Sequence, residues 1–297
     1  MPDFQIFEPA RLPGWPSLRP VPKPIQKKVQ SVTLNNGVNM PILGLGVYNM
    51  YGRDAVLAVE QALQVGYRLI DSATMYRNES EIGQAVRNSG LPRADVFITT
   101  KVDNADQGYD QTLKAFDTSL RKLGMEYVDL YLIHWPIRDK RKDTWMALEK
   151  IYADGRARAI GVANYLIPFL QELKGYASIV PALNQVEFSP YLYLQDLLRY
   201  CQQQGIQLQA YSPLARGERL QDPRLLALAK KYHKSAAQLM LRWDIQHGVS
   251  AIPKSVSPQR LRENVDLFDF QISDADMAIM DGFHENLRLV GNPIAML

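Results

Sequence analysis

Eight short apolar runs recur along the chain, at 41–47, 67–73, 96–101, 127–134, 157–163, 181–187, 206–212 and 249–254. Between them lie stretches in which apolar residues return every three or four positions. These fall near 53–65, 79–89, 109–123, 143–154, 166–174, 193–204, 223–247 and 257–265, and the seventh is long enough to be broken in two. Runs such as 130–133 and 159–162 are apolar at every position, which predicts strands buried on both faces. Strand and helix alternating eight times predicts an α/β fold built as one closed (β/α)8 TIM barrel rather than an open sheet. Ahead of it, segments 31–34 and 38–40 flank Asn35-Asn36-Gly37. This reads as a β-hairpin with a tight Asn-Gly turn, placed to cap the bottom of the barrel. A helical stretch at 273–282 and a short tail end the chain.

Residues 1–30 break the pattern. Seven prolines fall within the first 24 residues, which prevents a stable helix there. The domain plan is therefore a proline-rich extension over 1–30 and a barrel over 31–297. The extension reads as an arm lying on the body or partly disordered, with a dimer strap or a lid left open as its role. Asp3 and Glu8 argue against a transit peptide, and no apolar core of signal-peptide type is present.

A chain of 297 residues with 46% hydrophobic content can bury the core such a barrel needs. The net charge of +3 is spread out, and the densest basic stretch, 138–142, is interrupted by Asp139, so nucleic acid is not an expected partner. No apolar run is long enough to cross a bilayer. The lone Cys201 allows no internal disulfide, which fits a reducing, cytoplasmic setting.

Chemistry gathers at the ends of the runs. The second run ends in Asp71, and Tyr76 follows five residues later, just before a helix start. Lys101 and His134 close the next two runs. Four titratable groups at successive strand ends predict proton chemistry in one mouth. The fifth run ends in Asn164, the sixth carries Asn184-Gln185 and the seventh ends in Tyr211-Ser212. The eighth runs through Lys254 and Ser255 into a helix start with Ser257 as cap, Pro258 at the first position and Arg260 beyond. Exposed amides and cations there favour an anion. Amides in the middle suit a carboxamide, and an aromatic face suits a flat ring. Together they describe a trough for a nicotinamide dinucleotide. The Rossmann fingerprint is absent, since Gly44-Leu-Gly46 lacks the third glycine, and neither a Walker motif nor His-Glu-x-x-His occurs.

Over 31–290 the chain resembles the aldo-keto reductases. The resemblance rests on Gly66-Tyr-Arg-Leu-Ile-Asp-Ser-Ala with Tyr76-Arg-Asn-Glu, Leu132-Ile-His-Trp-Pro, Gly161-Val-Ala-Asn, Asn184-Gln-Val-Glu, Ala210-Tyr-Ser-Pro-Leu and Ile252-Pro-Lys-Ser-Val with Arg260-Leu-Arg-Glu-Asn. Short connecting segments make it look closest to compact microbial reductases of the 2,5-diketogluconate, methylglyoxal and prostaglandin F type. The resemblance implies NADPH-dependent reduction of a small-molecule carbonyl, by a protein whose relatives are commonly monomers, with a dimer left open. It implies Tyr76 as general acid, Lys101 as the ammonium that acidifies it, Asp71 as the holder of Lys101 and His134 as orienter of the substrate oxygen. Asn164 and Gln185 would meet the carboxamide and Tyr211 would stack on the nicotinamide, with Ser212, Leu214 and Val256 also touching the cofactor. Lys254, Ser255 and Arg260 would meet the 2′-phosphate, and Glu263 and Asn264 the adenine. Tyr48, Asp103 and Trp135 would wall the substrate pocket. No metal is implied.

Three positions depart from the family pattern: Leu69 for histidine, Ala163 for serine and Asp103 for tryptophan. A carboxylate at 103 would repel anionic substrates. Two other readings stand beside this one. A catalytically silent cofactor-binding subunit of the same fold is opposed by the intact set of Asp71, Tyr76, Lys101 and His134. A metal-dependent barrel hydrolase would need clustered ligands at strand ends, whereas His233, His247 and His284 fall in helical or tail segments.

Overall fold

The computed structural model describes residues 30–296, so the proline-rich arm, apart from Gln30, lies outside the described residues. The hairpin comes first, with β1 (Ser31–Thr33) antiparallel to β2 (Asn39–Pro41). Its turn lies at Asn35-Asn36-Gly37, where the sequence places it. Gly37 N donates to Leu34 O at 2.9 Å, and of the turn residues only Gly37 takes a positive φ, +85°. The loop therefore has three residues with glycine in the left-handed position, because a two-residue turn would force Asn36 to positive φ as well. The hairpin does floor the barrel. Leu34 and Met40 are buried in one cluster with Phe97, Leu130 and Leu183, while Asn35 and Asn36 donate to the carbonyls of Pro181 and Arg158.

Eight parallel strands follow: β3 (Leu45–Gly46), β4 (Leu69–Asp71), β5 (Phe97–Val102), β6 (Val128–Ile133), β7 (Ala157–Ala163), β8 (Leu183–Glu187), β9 (Gln207–Tyr211) and β10 (Ser250–Ala251). Each pairs with its neighbour in sequence. The sheet closes on itself. Gly44 N donates to Ala251 O and Ala251 N to Ile42 O, both at 2.9 Å, and Gly46 N donates to Pro253 O at 3.1 Å. The first and last runs contribute only two ladder residues each, so they are shorter than their apolar lengths suggested. Gly46 allows that close approach, since a Cβ there would stand 2.9 Å from Ile252 O.

Period two along each strand makes two cores. In β6, Leu130 and Leu132 face the interior cluster, whereas Tyr131 and Ile133 join the larger cluster under the helices. The same alternation turns Asp71, Lys101, Gln185 and Tyr211 inward and Asn184 outward, where its Nδ2 donates to Tyr165 O. The outer layer is α1 (Gly52–Val65), α2 (Glu79–Asn88), α3 (Tyr109–Leu123), α4 (Arg141–Ala153), α5 (Ile167–Lys174), α6 (Gln195–Gln203), α7 (Pro223–Lys231), α8 (Ala236–Gln246), α9 (Pro258–Val265) and α10 (Asp274–Asp281). The long seventh stretch is indeed two helices. Asp222 caps α7 through Arg224 N, and Ser235 and Gln238 form a reciprocal capping box on α8. Among the described residues no helix is long and apolar enough to cross a membrane.

Candidate active site

Lys101 is wholly buried and donates to Asp71 Oδ1 and Oδ2, at 2.7 and 2.5 Å, and to Ser72 O at 2.8 Å. Three acceptors use all three of its N–H groups. Its nitrogen stands 5.0 Å over the Tyr76 ring centroid, so it reaches Tyr76 by charge alone. Burial lowers the Lys101 pKa, and Asp71 opposes that by charge and hydrogen bond. Burial, then the Asp71 charge, raises the Tyr76 phenol well above its usual value. The resting site thus departs from the expected acidified phenol. The carboxylate beside Lys101 offsets its charge, and Tyr76 holds its proton firmly.

Tyr76 ends a short 3-10 turn at Thr74–Tyr76. Its ring meets Tyr48 edge-on at 5.1 Å and His134 at 5.8 Å. Burial, then the charge of Lys101, pushes His134 down to about 3, so its imidazole is neutral at pH 7. His134 Nδ1 is buried without a partner, which leaves Nε2 as the nitrogen open to the cavity. An orphaned acceptor costs less than an orphaned N–H, which favours the proton on Nε2. Below pH 6.5 the unfolded chain protonates this histidine while the folded chain does not. Stability is therefore lost as pH falls from 6.5 toward 3. We expect His134→Gln to flatten that acid slope by up to about 1.4 kcal/mol per pH unit, read as melting temperature against pH in both proteins.

Behind this pair Asn164 sits at φ +64°, a left-handed position that asparagine tolerates. Its Nδ2 donates to His134 O at 2.9 Å and its Oδ1 accepts from Tyr211 Oη at 2.8 Å. Gln185 Nε2 donates to Asp71 Oδ1 at 2.8 Å. One cavity of about 1120 Å³ runs from Tyr48, Met75, Tyr76, His134 and Trp135, past Asn164, Gln185 and Tyr211, to Lys254, Ser255, Arg260, Glu263 and Asn264.

A family model described as the aldo/keto reductase family matches residues 43–285. The chain belongs to the aldo/keto reductase family. It is 50% identical over 268 residues to glyoxal reductase of Bacillus subtilis (strain 168), covering 90% of this chain and 97% of that protein. It is 47% identical over 266 residues to 9,11-endoperoxide prostaglandin H2 reductase of Trypanosoma cruzi (strain CL Brener), covering 88% and 94%. A Bombyx mori aldo-keto reductase solved in complex with NADP superposes with a TM-score of 0.83 at 36% identity, covering 89% of this chain and 95% of that one.

Most of the site residues expected for this aldo/keto reductase line the cavity, and four of them do not. Asp103 does not line the cavity, because β5 ends at Val102 and the chain turns there into a 3-10 segment, Asn104–Asp106. Val256 does not line it either and is 57% exposed, pointing away while its neighbour Ser255 is buried. Asp71 and Lys101 lie beneath the cavity rather than in its wall. Ala163 and Leu69 pack in the interior cluster.

Three supporting residues of this reductase carry no role in the sequence reading. Asn78 is buried and donates to the carbonyls of Val47 and Met50 at 2.8 and 3.0 Å while accepting from Ser72 Oγ. It thereby fastens the loop of Tyr48 to the loop of Tyr76. Glu187, at the inward end of β8, accepts from Leu289 N and Val290 N and so holds the C-terminal segment beside the mouth, where Val290 lines the cavity. Gln209 lies below the cavity and accepts from Gln185. The usable signal for Asn78 and Gln209 was a polar side chain inside an otherwise apolar or tightly packed motif.

Proposed function

We propose that this aldo/keto reductase reduces aldehydes and ketones, dicarbonyls among them, to alcohols with NADPH, and that Tyr76 delivers the proton. The observation that carries the reading is the continuity of one cavity between Tyr76 with His134 at one end and Lys254, Ser255 and Arg260 at the other. The bacterial glyoxal reductase supports dicarbonyls as substrates.

The residues fit the cofactor by hydrogen-bond count. Asn164 keeps one uncommitted N–H and Gln185 keeps Oε1 without a partner among the described residues. One donor and one acceptor complement a primary carboxamide. At the other end Lys254, Ser255 and Arg260 line the cavity beside the start of α9, where Ser257 Oγ accepts from Arg260 N. NADPH, when bound, supplies the hydride. Neutral His134 orients the carbonyl oxygen by donating from Nε2. Tyr76 releases its proton to that oxygen as negative charge develops there. Lys101 stabilises the phenolate left behind through space, and Asp71 keeps Lys101 beneath the ring. The walls of Tyr48, Met75 and Trp135 exclude water from the reacting carbonyl. The same intact set argues against a catalytically silent subunit.

The test is NADPH oxidation by purified protein with an aromatic aldehyde and a dicarbonyl; absence of turnover with both sinks the reading. Arg260→Ala is expected to raise the KM for NADPH about tenfold to a hundredfold, the range for losing a charged hydrogen bond, and to leave that for NADH unchanged. Equal effects on both cofactors would remove Arg260 from the 2′-phosphate.

A further inference from the structure

Gln209 sits at the middle of β9, wholly buried inside the barrel, and does not line the cavity. Its Oε1 accepts from Gln185 Nε2 at 2.8 Å, and its own Nε2 donates to Ser250 Oγ at 3.1 Å. Gln185 Nε2 gives its other hydrogen to Asp71 Oδ1. An ionised carboxylate only accepts, so the nitrogen end of Gln185 has to face Asp71. Both N–H groups of Gln185 are thus consumed within the barrel. Its oxygen is then the one polar atom of the amide left for the cavity that Gln185 lines.

We infer that Gln209 is a positioning residue for the carboxamide of the cofactor, acting through Gln185. This rests on the NADPH reading above. By supplying the second acceptor, Gln209 locks the Gln185 amide with nitrogen inward and oxygen outward. Gln185 fixes Gln209 in turn, because turning that amide over would set its Nε2 against Gln185 Nε2, donor against donor, and Ser250 Oγ receives the Nε2 that this leaves. Remove the acceptor at 209, and Gln185 keeps a buried N–H with nothing to receive it. The amide relieves that by pivoting on its bond to Asp71 until the second N–H faces the cavity, where it meets the amino group of the carboxamide and repels it.

The experiment titrates NADPH and adenosine 2′,5′-bisphosphate, which lacks the nicotinamide, into wild type, Gln209→Leu and Gln209→Glu. NADPH is followed by its own fluorescence and the bisphosphate by calorimetry. Gln209→Leu is expected to raise the NADPH Kd about tenfold and leave the bisphosphate Kd unchanged. Gln209→Glu, its carboxyl held neutral by burial at pH 6, keeps an acceptor for Gln185 and is expected to restore wild-type NADPH binding there. If the leucine variant does not fold, Gln209→Met, which keeps the side chain's length, is read the same way. Unchanged NADPH affinity, or equal weakening toward both ligands, overturns the role of Gln209. Failure of the wild type to bind NADPH at all would instead overturn the functional reading beneath it.

Discussion

Tyr76→Phe is expected to lower kcat/KM for aldehyde reduction by about a hundredfold to ten-thousandfold, the usual contribution of a positioned general acid. NADPH affinity and melting temperature should stay at their wild-type values. The reason lies in the surroundings of the phenol oxygen, which has no hydrogen-bond partner among the described residues, so deleting it orphans nothing. The ring keeps its edge contacts with Tyr48 and His134. The raised phenol pKa keeps the proton in place across the working pH range, so the donor is always loaded. Reduction that continues undiminished in the phenylalanine variant would mean that the proton comes from elsewhere, and neutral His134 would become the leading candidate.

Lys101→Met should be costly in a different way. It leaves Asp71 buried with Gln185 as its remaining side-chain donor, and an ion pair broken on one side typically costs about 3–5 kcal/mol. For a barrel of this size that amounts to a fall of about 6–20 °C in melting temperature. Adding Asp71→Leu removes the stranded charge, so the double variant should recover much of the lost stability while staying inactive. Calorimetry on the two variants beside wild type checks the first part, and the NADPH assay checks the second. A double variant no more stable than the single one would show that packing, rather than charge, governs this layer.

The barrel and the reacting end of its site were legible because they follow from short-range rules. Apolar runs broken by helical periodicity give the strand count, and alternation within a run decides which side chains point inward. That rule favours Gln185 over Asn184. It fails at Asp103, where the pattern continues on paper but the strand stops at Val102. What no local pattern carries is the set of long-range commitments. Lys101 spends its three N–H groups on Asp71 and Ser72, some thirty residues back in the chain. Asn78 joins two loops, and Gln209 meets Gln185, its register partner on the neighbouring strand. These depend on which strand ends become neighbours, and they set the hydrogen bonding beneath Tyr76 and around the Gln185 amide.

The closing contact between the segments at 42–46 and 251–253 ties folding to the order of synthesis. The partner that completes β3 emerges more than two hundred residues after it, so a nascent chain carries an open sheet edge through all of that synthesis. Pairing of that kind is slow, because a long loop has to close before any contact rewards it. Until then the rim is exposed to other chains. Release of the last strand therefore shuts the sheet and, in the same event, delivers Lys254 to the place where its Nζ donates to Asn49 O.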